Sequence, residues 1–189
     1  PFGAGAFLLF GLGSIPSGRL GDQWGRRPMM LVFFVGMGLS ALLVSTTQGP
    51  WQLAAALTLM GAFASIYHPV GIPMLVQHAE RPGAAIGVNG LSGNLGIAAA
   101  ALTTGVLVEH FGWRAAFAVP GLGCLVVGLV FWRLAPRESE PPSRRAQRAP
   151  VTLAPGALAR VLLVVTLASA SGGLIFNLTT NGNAQMLGE

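Results

Sequence analysis

The sequence predicts an all-α membrane protein: a polytopic helix bundle with six transmembrane helices. Three observations lead to this fold class: a scarcity of charge, a series of long apolar runs, and no alternation of polar and apolar residues. The chain of 189 residues carries 11 basic residues, all of them arginines, and 6 acidic ones, so 9% of it is charged. A soluble domain has roughly 25% charged residues. This chain therefore has too few charges to cover a water-exposed surface.

Six apolar runs approach the length of about 20 residues that a membrane-spanning helix needs. They are Phe2–Ser17, Met29–Thr46, Trp51–Val76, Ala84–Val108, Ala115–Leu134 and Ala157–Leu178. None of them alternates in the way that a transmembrane strand requires. Because lipid admits only helices and closed barrels, each run is expected to be a helix.

Prolines and glycines interrupt two of these runs. Pro69 and Pro73 lie near the end of the third run, where the loss of backbone N–H groups predicts a kink. The fourth run carries glycines at short intervals, which predict close packing against another helix. These helix-packing glycines are Gly87, Gly90, Gly93 and Gly96.

The arginines predict the orientation of the helices. Connectors 18–28, 77–83 and 135–156 must lie on one side if successive connectors alternate, and this side holds all the arginines except Arg114. An excess of arginine marks the cytoplasmic side. We therefore expect a multi-pass membrane protein with these three connectors in the cytoplasm and a lipid bilayer as its first partner.

The first connector combines an acid, three arginines and spaced glycines, in the order Gly18-Arg19-Leu20-Gly21-Asp22-Gln23-Trp24-Gly25-Arg26-Arg27. Glycine permits a sharp turn, which we expect at Gly21 and Gly25. Asp22 can accept hydrogen bonds from arginine or cap a neighbouring helix. A simple topological anchor would explain the arginines of this segment but not Asp22 or the glycines.

This segment resembles the signature loop of the major facilitator superfamily of secondary transporters. The matching positions form a gating motif in that family, and here they are Gly18, Leu20, Gly21, Asp22, Gly25, Arg26 and Arg27. Phe111-Gly112-Trp113-Arg114 is similar to a turn between helices five and six of the family. Gly90–Gly96 resembles the glycine-rich motif of the family's antiporters, except that Asn94 stands where that motif has proline.

The resemblance implies that the chain is a fragment comprising helices two to seven of twelve. Residues 1–134 would then form five helices of the N-terminal six-helix half, 135–156 a basic, proline-rich central linker, and 157–189 the first helix of the C-terminal half. The C-terminal half would be a missing partner of this chain. The run Tyr67-His68-Pro69 is similar to one in a fosmidomycin-resistance-like efflux branch.

A few polar groups within the runs are candidates for a substrate or proton pathway: Tyr67, His68, Asn94 and Asn177. His68 is the ionisable group that lies clearly inside a run, and such groups are costly in lipid. It either carries a proton or contacts substrate, or it bonds a carbonyl freed by the kink at Pro69. Asn89 or Asn94 is expected to make an interhelical hydrogen bond. Glu80 and Arg81 are candidates for a charge network with Asp22, Arg26 and Arg27, or else a solvated surface pair.

The resemblance therefore implies a secondary transporter of small molecules in a bacterial inner (plasma) membrane, which works by alternating access, is coupled to protons or another ion, and exports drugs or metabolites. An uptake permease for a small organic anion or nutrient, and a non-transporting sensor or scaffold, are the alternatives. We expect no enzymatic activity, because no set of nucleophile and base comes together and no phosphate-binding loop is present. No cofactor, metal site or nucleic-acid partner is expected.

Overall fold

The computed structural model describes residues 2–77, 79–137 and 156–186, with side chains in the last segment up to 171 and at 173. Two compact units are present, Pro1–Gln147 and Arg148–Glu189. The first unit holds helices α1 to α6 and the second holds α7. The elements are α1 Ala4–Trp24, α2 Arg26–Thr46, α3 Pro50–Ala64, a π-helical turn Tyr67–Gly71, α4 Ile72–Gln77, α5 Pro82–Phe111, α6 Ala115–Leu134 and α7 Ala157–Met186.

The prediction of an all-helical membrane bundle is confirmed. Among the residues that the structure describes, four spans are long and apolar enough to cross a membrane, namely Arg26–Thr46, Pro50–Gln77, Pro82–Phe111 and Ala115–Leu134. α1 has 21 residues but ends in the polar motif, and α7 begins with a shorter apolar stretch, Ala157–Ser171. Most large apolar side chains of α5 and α6 are exposed, as lipid-facing side chains of a membrane helix are.

The first connector differs from its prediction. α1 does not end at Ser17 but continues to Trp24, and α2 begins at Arg26. Gly21 is helical and buried, so the turn expected at this residue is wrong. Gly25 alone separates the two helices, with φ 110° and ψ 149°, a conformation open essentially to glycine. The signature segment is therefore the last two turns of one helix, one glycine and the start of the next helix.

The third span is interrupted at the place where the kink is predicted. Pro69 lacks the N–H that would donate to the carbonyl of Ser65, four residues earlier, and the helix changes here from α to π geometry. The hydroxyl of Ser14 in α1 reaches the same Ser65 carbonyl at 3.5 Å. The Ser17 and Ser65 hydroxyls, both buried, lie 3.2 Å apart. Serines of α1 thus supply polar partners where the backbone ladder of the third span is interrupted.

Small residues let the helices of the first unit pack closely. α2 packs most extensively against α6, and α1 against α3. A Cβ at Gly38 in α2 would lie 2.9 Å from the carbonyl oxygen of Gly121 in α6, and one at Gly61 in α3 would overlap the backbone of Ala6. The same unit contains a hydrophobic core cluster of four buried side chains: Met29, Met30, Ile66 and Val70.

The α5 glycines that the sequence predicts to pack against another helix take no part in these close contacts. Ideal Cβ atoms built at Gly87, Gly90, Gly93 and Gly96 of α5 would meet no atom within 4 Å in the described part of the chain. Within the described residues, α5 packs mainly against the neighbouring helices α4 and α6. The prediction that this glycine stripe packs against a helix therefore has no partner within these residues and remains a prediction.

Candidate functional site

Two consecutive arginines at the start of α2 donate hydrogen bonds to two other helices. Arg26 donates from Nη1 to the carbonyl oxygen of Pro73 at 2.9 Å and to Oε1 of Gln77 at 3.0 Å. Both acceptors belong to α4, the short helix after the π-helical turn. The side chain of Arg26 is only 17% exposed. Its guanidinium therefore binds polar groups near both ends of α4 and ties this short helix to α2.

Arg27 makes the corresponding contact with α6. Its Nη2 donates to the carbonyl oxygen of Trp132 at 2.5 Å, and its Nε to that of Ala135 at 3.3 Å. The last carbonyls of a helix have no partner within the helix and carry its partial negative charge. A guanidinium is a suitable donor for them, because its N–H groups form a planar fork.

Arg114 makes the reverse contact at the opposite end of the same helix pair. It is the N-cap residue of α6, and its Nη2 donates to the carbonyl oxygen of Thr47, the C-cap residue of α2, at 3.0 Å. Its guanidinium carbon lies 4.7 Å from the centre of the Trp113 ring. Because α2 and α6 are antiparallel, each helix thus places an arginine at its own start on the last carbonyls of the other helix. We call these two sets of hydrogen bonds the reciprocal arginine contacts.

Asp22 is placed differently from the arginines. Its Oδ1 lies 3.9 Å from Nη2 of Arg26, and its side chain is 64% exposed. A pair at this distance with one exposed member is weak. Asp22 therefore contributes little to holding the described helices together, and most of its carboxylate surface is open to other contacts.

The remaining motif positions support the π-helical turn. A Cβ at Gly18 would lie 3.3 Å from the ring of Pro69, and one at Gly21 would lie 2.9 Å from Val70. Leu20 packs against the core that contains Val70. These positions, which the family resemblance assigns to gating, thus fit α1 closely against the irregular part of the third span.

Glu80 and Arg81 are exposed and lie in the short connector before α5. Among the residues that the structure describes, the ion pair present is that between Arg26 and Asp22, and neither Glu80 nor Arg81 takes part in it. The charge network predicted for these two residues thus has no contact to support it here and stays a prediction.

The candidate pathway residues separate into distinct places. The Tyr67 hydroxyl donates to Oδ1 of Asn89 at 2.5 Å, joining the π-helical turn to α5 as the expected interhelical hydrogen bond. His68 is exposed, and its ring makes edge contacts with Phe10 and Tyr67 at 6.2 and 5.5 Å between centroids. The side chain makes no hydrogen bond within the described residues, so the alternative in which it bonds a freed carbonyl is not what the structure shows.

Asn94 takes no part in the hydrogen bond between Tyr67 and Asn89. Asn94 lies on the exposed face of α5, five residues beyond Asn89. Asn177 is in α7, and its side chain lies outside the described residues. No group of three or more His, Cys, Asp or Glu that could hold a metal ion is found in the part of the chain that the structure describes.

Sequence reasoning missed the acceptors of the arginines. Apart from the side-chain oxygen of Gln77, they are backbone carbonyls, and a carbonyl carries no sequence signal of its own. These carbonyls belong to Thr47, Pro73, Trp132 and Ala135. The signal that could have found them is positional. Arg27 and Arg114 each lie at the start of a span, where the ends of antiparallel neighbours are close.

Comparison with known proteins adds independent information. The sequence model of the Major Facilitator Superfamily matches residues 2–186 of this chain. The puromycin resistance protein pur8 of Streptomyces alboniger is 32% identical over 88% of this chain and 33% of its own length. The tetracenomycin C resistance and export protein of Streptomyces glaucescens is 31% identical over 74% of this chain and 27% of its own length. The multidrug resistance protein MdtG of Escherichia fergusonii is 31% identical over 66% of this chain and 31% of its own length.

These relatives are named for resistance and export, not for catalysis of a reaction. The chain spans about a third of the length of the relatives it matches. The match covers the signature segment, the helices that Arg26 and Arg27 join, and the turn that carries Arg114. The sequence motif, the helical fold and the extent of the match agree, and the chain belongs to the Major Facilitator Superfamily.

Proposed function

We propose that the protein is a membrane transporter that exports antibiotic-like organic molecules by alternating access. The observation that carries this proposal is the similarity to the puromycin resistance protein, which extends over 88% of the chain. Similarity to a tetracenomycin C export protein and to a multidrug resistance protein points the same way. The expected alternatives, uptake or a non-transporting scaffold, find no such support.

The geometry supports a division of labour within the signature segment. Arg26 and Arg27 use their guanidinium groups on α4 and α6, inside the same unit. Asp22 keeps most of its surface exposed. In this proposal the arginines keep the unit rigid while Asp22 makes the contact that forms in one transport state and breaks in the other. Such a contact shifts the equilibrium only by its difference in free energy between the two states.

The coupling ion in this proposal is the proton, and His68 is its carrier. The side chain is exposed, is not held by a hydrogen bond in the described residues, and lies on the π-helical turn. π-Helical turns are frequent at functional sites. An imidazole can take up and release a proton near neutral pH.

We also propose that the end of the bundle with Gly25 faces the cytoplasm of a bacterial cell, as the distribution of arginines predicts. Gln23, in the last turn of α1, and Gln48, just after the end of α2, are exposed and lie beyond the two opposite ends of α2. In the background Cys124→Ser, a membrane-impermeant maleimide should label Gln48→Cys and not Gln23→Cys in intact cells. Labelling of Gln23→Cys alone would reverse the orientation.

The transport proposal is tested with the full-length protein in a host that lacks its own efflux pumps. We expect cells that express it to tolerate several times more puromycin than cells with an empty vector, and to accumulate less labelled puromycin. Cells that express Asp22→Asn at the same level serve as the control. Greater accumulation than in the empty-vector cells would indicate uptake. Equal accumulation across a panel of antibiotics, with a correctly inserted protein, would favour the scaffold.

A further inference from the structure

A cavity of about 400 Å³ lies at the Gly25 end of the first unit, between α2, the π-helical turn, α4, α5 and the end of α6. Small-molecule sites begin at about 300 Å³. Its walls are mostly apolar and include Met30, Met74 and Phe131. Thioether side chains adapt to ligands of different shape and pack well against aromatic rings. The cavity therefore has the size and the walls of a site for an aromatic molecule.

The polar part of the wall is the pair formed by Tyr67 and Asn89. Oδ1 of Asn89 accepts the hydrogen bond from the Tyr67 hydroxyl. The other half of the Asn89 amide, the NH₂ group, has no hydrogen-bond partner among the described residues, although the side chain is half-buried and lines the cavity. An amide group that lacks a partner in an apolar wall gains free energy when a ligand supplies an acceptor.

The charge of the ligand follows from the wall as well. The described residues that line the cavity include no acidic or basic side chain. Burying an ion without a partner of opposite charge is costly. An uncharged ligand is therefore favoured over an organic cation or anion.

We propose that this cavity is a binding site for an uncharged aromatic molecule whose carbonyl or ether oxygen accepts a hydrogen bond from the side-chain amide of Asn89. The site lies within a single unit of the chain. Its existence does not depend on the direction of transport or on transport itself. Because α5 contacts α4 and α6, which both border the cavity, an occupant also lies where these three helices meet.

The test measures binding to the full-length protein purified in detergent. The probe is 6-propionyl-2-dimethylaminonaphthalene, an uncharged aromatic ketone, and energy transfer from the protein's tryptophans reports the bound probe. We expect saturable binding to the wild type and a dissociation constant about three- to tenfold higher for Asn89→Leu, the effect of one neutral hydrogen bond. The matched control is Thr104→Leu, an exposed position on the same helix that does not line the cavity, and its binding should be unchanged.

A second probe separates the hydrogen bond from a general effect of the substitution. 2-Dimethylaminonaphthalene lacks the ketone, so Asn89→Leu should leave its binding unchanged. Equal weakening of both probes, equal weakening by Asn89→Leu and Thr104→Leu, or no saturable binding to the wild type would overturn the proposal. If Asn89→Leu does not fold, Ala79→Phe carries the test, because Ala79 lines the cavity and a phenyl ring there should displace the probe. Unchanged binding to that variant would also overturn it.

Discussion

Arg27, at the start of α2, donates a hydrogen bond to the backbone carbonyl of Trp132, near the end of α6, over 2.5 Å. The contact joins residues 105 positions apart. It places a positive charge at the negative end of a helix, where such a charge is favourable. A residue of the signature segment thus stabilises its own unit, in addition to any part that the segment plays in gating.

Removal of this contact should destabilise the protein. Arg27→Gln cannot supply the charged fork, and hydrogen bonds to charged groups contribute about 1.5–3 kcal/mol, less where water has access. We expect a loss of about 1 kcal/mol, seen as a lower midpoint of thermal unfolding of the full-length protein in detergent. Arg19→Gln, an exposed arginine of the same segment, is the matched control. Equal midpoints for the two variants would contradict the role of Arg27.

The two reciprocal arginine contacts should act independently. Arg27 and Arg114 lie at opposite ends of helices of about 20 residues, which separates them by roughly 30 Å. Substitutions this far apart that share no partner are additive within about 0.5 kcal/mol. We therefore expect the unfolding free energy of Arg27→Gln/Arg114→Gln to fall by the sum of the two single losses. A double variant no less stable than the worse single one would show that α2 and α6 separate as soon as one end is released.

The glycine between the first two helices should resist substitution. At φ 110° an added Cβ is strained, and such residues cost on the order of 1–3 kcal/mol. Gly25→Ala should therefore lower the unfolding midpoint of the full-length protein. Gly83→Ala is the matched control, since Gly83 lies in the first turn of α5 and a Cβ there meets nothing within 4 Å. Equal tolerance of both substitutions would mean that the connector rearranges at little cost.

How far the sequence predicts this structure depends on what determines each boundary. α6 begins and ends as predicted, at Ala115 and Leu134, because Gly112 before it and Pro136 after it oppose helix continuation. The end of α1 was misplaced because Gly18, Gly21 and Gly25 look alike in the sequence. Only tertiary contact separates them: Gly21 packs against Val70 within the helix, whereas Gly25 takes the positive φ.

The same limit applies to packing and to the candidate site. Regular spacing predicts helix packing at the glycines of α5. In the described residues, however, the backbones of two helices approach closely at Gly38 and Gly61. Which glycine meets a neighbour depends on the pairing of helices, which spacing within one helix does not determine. Asp22, Arg26 and Arg27 could be singled out from their motif. Their carbonyl partners could not, because these are defined by the fold alone.

Asp22 should matter more for transport than for stability. Asp22→Asn removes a charge that is 64% exposed and 3.9 Å from Arg26. Exposed pairs contribute about 0–1 kcal/mol, so the unfolding midpoint should hardly change. If the full-length protein exports puromycin as proposed, and if the exposed carboxylate makes the state-dependent contact, this export should fall at least several-fold. Glu80→Gln, which removes another exposed charge, is the control. Wild-type export by Asp22→Asn would remove Asp22 from the mechanism.

His68 is tested by the pH dependence of transport. If its imidazole carries the coupled proton, His68→Gln keeps a polar side chain of similar reach but cannot accept a proton, so an imposed pH gradient should no longer drive export. Exchange of labelled for unlabelled substrate without a gradient should persist, because it needs only the conformational change. This separates loss of coupling from loss of fold. His110→Gln, at the end of α5, provides the matched control and should keep gradient-driven export. If His68→Gln also keeps it with an unchanged pH profile, the ring contacts with Phe10 and Tyr67 are the whole role of His68, and another group couples transport to the proton.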